Sequence, residues 1–206
     1  MSKQKVLLFG GTGRAGNNFI SEALKRKHKV TAVMYDVSKV PFIHPDLQVK
    51  HGHMMNPADV AEFVKGHDAV LAVHEPLPIN PHEHIKAISS VIEGTKAAGV
   101  RKLMVIGHPI HRPVENTIEF YELWRSIAMA QREALRLFKR EQVLNWGYAY
   151  SDTLQPNTRT GKLDNHQYMV LATPTGEKHV PIKSYAPILL GNTLALTSIL
   201  ELELNK

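Results

Sequence analysis

The segment Gly10-Gly11-Thr12-Gly13-Arg14-Ala15-Gly16 has the residue types and spacing best suited to chemistry. An apolar run, residues 5–10, leads into it. Beyond it, residues 17–27 carry Phe19, Ile20, Ala23 and Leu24 at helical spacing. Glycines at 10, 13 and 16 let the backbone turn sharply and let a pyrophosphate approach with no side chain in the way. The helix N-terminus beyond them supplies amide donors and partial positive charge. Thr12 and Ala15 lie within this turn, and the Arg14 guanidinium could pair with a phosphate. Asp36 follows a second apolar run, 30–35, at 20 residues past Gly16. A carboxylate there suits a ribose 2′-hydroxyl and repels a 2′-phosphate, while Tyr35 could stack on an adenine. Asp36 could equally do no more than cap the turn that follows it.

The elements needed to hold such a turn are legible along the chain. Short apolar runs at 5–10, 30–35, 48–51, 69–73, 102–106, 145–150 and 168–172 read as strands, and the run at 69–73 fits one buried on both faces. Helical patterns occupy 17–27, 82–98, 117–141 and 187–204, and Asn56-Pro57 opens another as N-cap and first helical residue. This alternation predicts an α/β fold, a Rossmann-type doubly wound parallel sheet with helices on both faces. We expect one domain over 1–206, with residues from about 151 forming a small C-terminal substrate lobe. In such sheets ligands bind beyond the carboxyl ends of the strands.

Composition narrows the function classes. The 206 residues are 43% hydrophobic and 21% charged, which fits a folded domain and excludes a disordered chain. The absence of cysteine excludes disulfides, thiolate metal sites and a cysteine nucleophile. No apolar run has the roughly 18 residues of a membrane helix, and the N-terminal apolar stretch is too short for a secretory signal. A cytoplasmic protein that does not engage membranes is expected. The net charge of +6 is scattered rather than striped, so an anionic small ligand is favoured over nucleic acid. Twelve histidines make the real charge depend on pH between about 5 and 7. The oligomeric state is not set by any of these features.

The stretches GGTGRAG, VTAVMYDVSKV, TKAAGVRKLMVIG and EQVLNWGYAYSDTLQPNTRTGKL resemble the atypical short-chain dehydrogenase/reductases. The closest subgroup is the NAD(P)H-binding, NmrA-like set with its NADH-flavin reductases. The resemblance runs from Lys5 to about Leu200. It implies a nicotinamide cofactor bound by Gly10, Thr12, Gly13, Arg14, Ala15, Gly16, Tyr35 and Asp36, and hydride transfer to a planar acceptor such as a flavin or quinone. Asp36 leans the choice toward NAD(H), and Arg14 and Lys39 leave NADP(H) open.

The sequence departs from this pattern in two respects. The tyrosine–lysine pair of ordinary members is replaced by Tyr121 and Arg125, four apart on a helix. Arginine supplies charge but cannot itself exchange a proton at neutral pH. Histidines also stand at strand ends: His53 after the third strand, His74 after the fourth and His108 after the fifth, with His82, His84 and His111 on neighbouring loops. They could donate protons, contact the cofactor, bind a metal, or be surface residues. No metal site is expected, because the helices carry no HxxxH pair and His82-x-His84 is a weak ligand pattern. We expect His74, His108 and Tyr121 to serve the reaction and His53 and His74 to contact the cofactor. The competing readings are a dinucleotide-binding sensor without turnover and a sugar-nucleotide epimerase or dehydratase, the latter disfavoured by a short C-terminal lobe.

Overall fold

A computed structural model describes residues 3–40, 43–74, 80–107, 118–150, 168–181, 186–187, 189–191 and 193; at 81, 118–124, 168 and 181 it describes the backbone only. Strands β1 (Lys5–Phe9), β2 (Lys29–Met34), β3 (Leu47–His51), β4 (Ala69–Val73), β5 (Lys102–Ile106), β6 (Asn145–Tyr150), β7 (Tyr168–Thr173) and β8 (Gly176–Pro181) form one sheet in the order β3-β2-β1-β4-β5-β6-β7-β8. The pairings among β1 to β6 are parallel, and those of β6 with β7 and β7 with β8 are antiparallel. Helices α1 (Arg14–Lys25), α2 (Pro57–Val64), α3 (Pro81–Ala97) and α4 (Ile118–Lys139) make the crossovers. This is the expected Rossmann-type α/β sheet. Of the segment from about residue 151, β7 and β8 extend the same sheet, and residues 151–167 lie outside the described residues.

The strands alternate their side chains between two cores. Val6 and Leu8 face Phe19, Ile20 and Ala23 of α1, while Leu7 and Phe9 face the side occupied by Val60, Ile88, Val91 and Phe138. Both faces of the central strands are therefore dry, which is why β4 and β5 read as unbroken apolar runs. The start of α2 is built as its sequence predicts: the Asn56 side chain accepts from the Ala58 amide at 2.9 Å, and Pro57 takes the first position.

Two histidines are part of this architecture. His28 is buried, and its Nδ1 accepts from the Gln4 amide at 3.2 Å. The Nδ1–H of His67 donates to the Val64 carbonyl at 3.2 Å, which leaves Nε2 to accept from the Thr31 hydroxyl at 2.9 Å. Burial holds both rings below the ordinary value of 6.5. The unfolded chain therefore takes up protons before the native one as pH falls. The stability these two rings contribute is full above about pH 6.5 and is lost progressively as pH falls below it. The urea midpoint is expected to be lower at pH 5.5 than at pH 7.5, with a smaller drop in His28→Gln. Equal midpoints in the parent protein at the two pH values would show that these rings do not resist protonation.

Candidate functional site

The carboxyl ends of β1 and β4 lie side by side where the chain order reverses, so the turns after them flank the crevice of the sheet. Gly10 continues β1 by donating to the Val33 carbonyl at 3.2 Å and has φ of 83°. A Cβ built on Gly10 would collide with the Val73 carbonyl oxygen. The glycine turn thus rests directly on the peptide that joins Val73 to His74. At Gly16 a Cβ would come within 2.5 Å of the Gly10 oxygen and 2.6 Å of the Gly11 Cα, so α1 packs its first turn against the glycine backbone. Ala15 is buried, whereas Thr12, Gly13 and Arg14 are exposed.

Gly13 is the N-cap of α1, and a Cβ there would meet nothing within 4 Å. The first turn of α1 carries no acidic residue and begins with Arg14. Its leading amides have no intrahelical carbonyl to bond. Open space, amide donors, a helix dipole and a guanidinium at one place fit the pyrophosphate of a dinucleotide. The residues present therefore fit the cofactor that the sequence implies.

Tyr35 and Asp36 follow β2 on the same edge. Tyr35 is 79% exposed, with its ring 5.8 Å from that of His51. The Asp36 carboxylate caps a short 3-10 turn, Val37–Lys39: it accepts from the Ser38 amide at 3.1 Å and hydroxyl at 2.6 Å, and pairs with Lys39 at 3.5 Å. The Ser38 hydrogen bonds hold its pKa below the ordinary carboxylate value. The capping role open from the sequence is therefore present, and the charge lies just past the carboxyl end of β2. His53 lies beyond β3, exposed, with Nδ1 accepting from the Met55 amide at 3.3 Å. Two strands, β2 and β1, lie between β3 and β4, so His53 and His74 are not brought together.

His74 is held differently. Its amide donates to the Ile106 carbonyl at 3.0 Å, which fixes its backbone to the end of β5. Its Nδ1 lies 3.0 Å from Nδ1 of His84, and Nε2 of His84 lies 3.1 Å from the Tyr148 hydroxyl. His84 and Tyr148 are fully buried and His74 is partly so. Burial lowers the pKa of His74, and the nearby Glu83 carboxylate opposes that shift. The Tyr148 phenol is pushed far up, first by burial and then by Tyr150, so it stays protonated. Its ring stacks between Phe138 at 5.2 Å and Tyr150 at 5.4 Å. A Cβ on Gly107 would approach the Tyr148 hydroxyl to 3.1 Å and Nε2 of Gln131 to 3.3 Å, so this polar chain reaches the turn after β5.

The sequence reading sets His82 and His84 on neighbouring loops. The structure places both in the opening turns of α3, with His84 on the stripe of Ile88 and Val91 that faces the sheet. That 84, 88, 91 spacing was a signal available in the sequence. Tyr148 carried no comparable signal, since an apolar strand with a tyrosine reads as core. His108 and His111 lie outside the described residues, as does the side chain of Tyr121, whose backbone belongs to α4. Arg125 is exposed on the same helix. Among the described residues no helix is long and apolar enough to cross a membrane.

A glycine turn opening α1 at the switch point of a doubly wound sheet defines a Rossmann-type dinucleotide-binding protein. A family model described as NAD(P)H-binding matches residues 10–171, and the chain belongs to that family. It is 27% identical over 194 residues to the uncharacterized protein YwnB of Bacillus subtilis, with 88% of each chain covered. A candidate epimerase of Bacteroides thetaiotaomicron superposes with a TM-score of 0.65 at 25% identity, covering 92% of this chain and 90% of that one. The oxidoreductase ylbE of Lactococcus lactis gives a TM-score of 0.60 at 15% identity over 92% and 98% of the two chains, a likeness of fold. A short-chain dehydrogenase/reductase of Veillonella parvula in complex with NADP gives 0.54 at 14% identity over 76% and 75%, again a likeness of fold.

Proposed function

We propose that this protein is an NAD(P)H-dependent reductase that passes hydride to a planar flavin- or quinone-like acceptor. The observation that carries the reading is the contact of Gly10 with the Val73 carbonyl, which sets the backbone leading into His74 against the dinucleotide turn. Bound there, the nicotinamide supplies the hydride, and the protein supplies orientation. Gly13 and the amides of α1 hold the pyrophosphate, Arg14 neutralises it, and His74 gives a proton to the acceptor as negative charge develops on it. Turnover of NADH or NADPH with a panel of flavins and quinones, followed by loss of nicotinamide absorbance, tests this. His74→Ala is expected to lower kcat about 10²-fold. Its dinucleotide affinity should stay within about twofold of the parent's, well short of the tenfold change that about 1.4 kcal/mol would bring. Dinucleotide binding with no oxidation by any acceptor would favour the sensor reading instead.

The sign of the pH dependence follows from His74. As the proton donor it must be charged, so activity falls as pH rises through its pKa. Burial places that limb below the ordinary histidine value of 6.5. Initial rates should therefore already be declining at pH 6.5, and circular dichroism at each pH separates this from acid unfolding. A rate that climbs from pH 6 to 8 would remove His74 from the role.

Asp36 supports a preference for NAD(H), because a 2′-phosphate would sit against its carboxylate. NADH is expected to bind more tightly than NADPH, and Asp36→Asn to narrow the gap. A preference for NADPH of about tenfold, about 1.4 kcal/mol, would assign the 2′ position to Arg14 and Lys39.

A further inference from the structure

We infer that His84 and Tyr148 are positioning residues for His74: their hydrogen-bonded chain decides which ring nitrogen of His74 carries the proton that is exchanged. This rests on the reductase reading above, in which His74 is the proton donor. The chain is a geometric fact, with links of 3.0 Å and 3.1 Å between a residue after β4, one on α3 and one in β6.

Hydrogen-bond inventory leaves this chain two states. A neutral imidazole donates from one nitrogen and accepts at the other. In the first state, His74 Nδ1–H donates to His84 Nδ1, and His84 Nε2–H donates to the Tyr148 oxygen. In the second, the Tyr148 hydroxyl donates to His84 Nε2, and His84 Nδ1–H donates to His74 Nδ1. The two give His74 opposite capacities. In the first, its Nε2 can gain and lose a proton while every other hydrogen in the chain stays in place. In the second, Nε2–H is the last proton of a neutral ring, and giving it up would leave an imidazolate.

Passing that charge along the chain would require Tyr148 to surrender its proton, and burial among Phe138, Tyr150 and His84 opposes a phenolate there. The second state is therefore a dead end for proton donation. The first is the working state, with Tyr148 as a fixed, neutral acceptor. The balance of the step is then simple. The acceptor takes two electrons and one proton as hydride. His74, charged beforehand by a proton from solvent, gives a second proton from Nε2 and returns to the neutral ring with Nδ1–H still on His84. The dihydronicotinamide is oxidised, the acceptor is reduced, and no other group changes its proton count.

The test is nitrogen-15 NMR of the histidine rings at pH 8, where His74 is neutral, in the parent protein and in Tyr148→Phe. Phenylalanine keeps the stacked ring and removes only the oxygen. The expected result is His74 as the Nδ1–H tautomer in the parent. Without the phenol acceptor, His84 moves its proton to Nδ1, and His74 moves to Nε2–H. In the reductase assay the same variant should lose about tenfold or more in kcat with NADH affinity within about twofold. His84→Gln, whose amide oxygen can accept from His74 Nδ1–H, should retain more activity than His84→Leu. An Nε2–H tautomer of His74 in the parent, or tautomers that do not respond to Tyr148→Phe, would overturn the inference. The NMR measurement needs no acceptor. An intact tautomer response in a protein that reduces nothing would thus count against the reductase reading while upholding the positioning role.

Discussion

Replacing Gly13 with valine is expected to raise the dissociation constant for NADH at least about 100-fold, or about 2.8 kcal/mol, while leaving the fold intact. The two halves of this result have separate causes. Gly13 has φ of −86° and ψ of 172°, an extended conformation that valine adopts readily, and a Cβ there meets no atom within 4 Å. Folding therefore has no objection to the side chain. The open space, however, lies in front of the leading amides of α1, where the pyrophosphate would be held. A branched side chain in that space keeps the phosphates away from those donors. Nicotinamide fluorescence titration measures the loss, and an unchanged circular dichroism spectrum and melting temperature show that it is local. If the valine variant binds NADH as the parent does, the dinucleotide lies elsewhere and the site must be reassigned.

Gly10→Ala should behave in the opposite way, damaging the fold first. Its φ of 83° costs any L-residue strain, and its Cβ would drive into the Val73 carbonyl, a backbone atom that cannot rotate aside. Relief requires β1 and β4 to separate at the carboxyl edge, where their ladder pairs Phe9 with Ala72. Overpacking and backbone strain together amount to about 3 kcal/mol, or a melting temperature lower by about 10 °C for a chain of this size. Dinucleotide binding should fall as well, since the backbone displaced is the glycine turn that would hold the pyrophosphate. A melting temperature within about 2 °C of the parent's would mean that the turn does not press on Val73. The two glycines thus separate the site's two demands: room for a ligand at residue 13, and close backbone contact at residue 10.

Local patterns carried much of this architecture into view. The apolar runs of β1, β2, β4, β5 and β6 and the helical stripes of α1 and α3 are legible because a doubly wound sheet buries its strands on both faces and its helices on one. The glycine turn is legible because its chemistry needs contiguous residues. β8 is not legible. Its sequence, Gly176–Pro181, is mostly exposed, with Val180 the buried residue on its inner face. An edge strand is defined by the hydrogen bonds its neighbour offers, here those of β7, and needs no apolar alternation of its own.

Asp36 shows where a local reading must stay divided. A carboxylate after the second strand serves a ribose hydroxyl or the next turn, and the structure has it bonding Ser38 and Lys39. The histidines show the larger gap. Sequence order sets His53 and His74 just past the third and fourth strands, and β3 and β4 do end shortly before them. The 84, 88, 91 spacing can set His84 on the inward stripe of its helix, but no spacing could say that it reaches a tyrosine 64 positions away.

The sequence by itself determined the order of the elements, the dinucleotide turn and the edge on which chemistry would occur, because each is written in residues close along the chain. Only the tertiary structure decided that His74 has a partner that can set its proton. That choice depends on β4, β5 and β6 lying side by side and on α3 crossing over them. These are long-range pairings whose register no local pattern encodes, and they alone bring His74, His84 and Tyr148 within hydrogen-bonding distance.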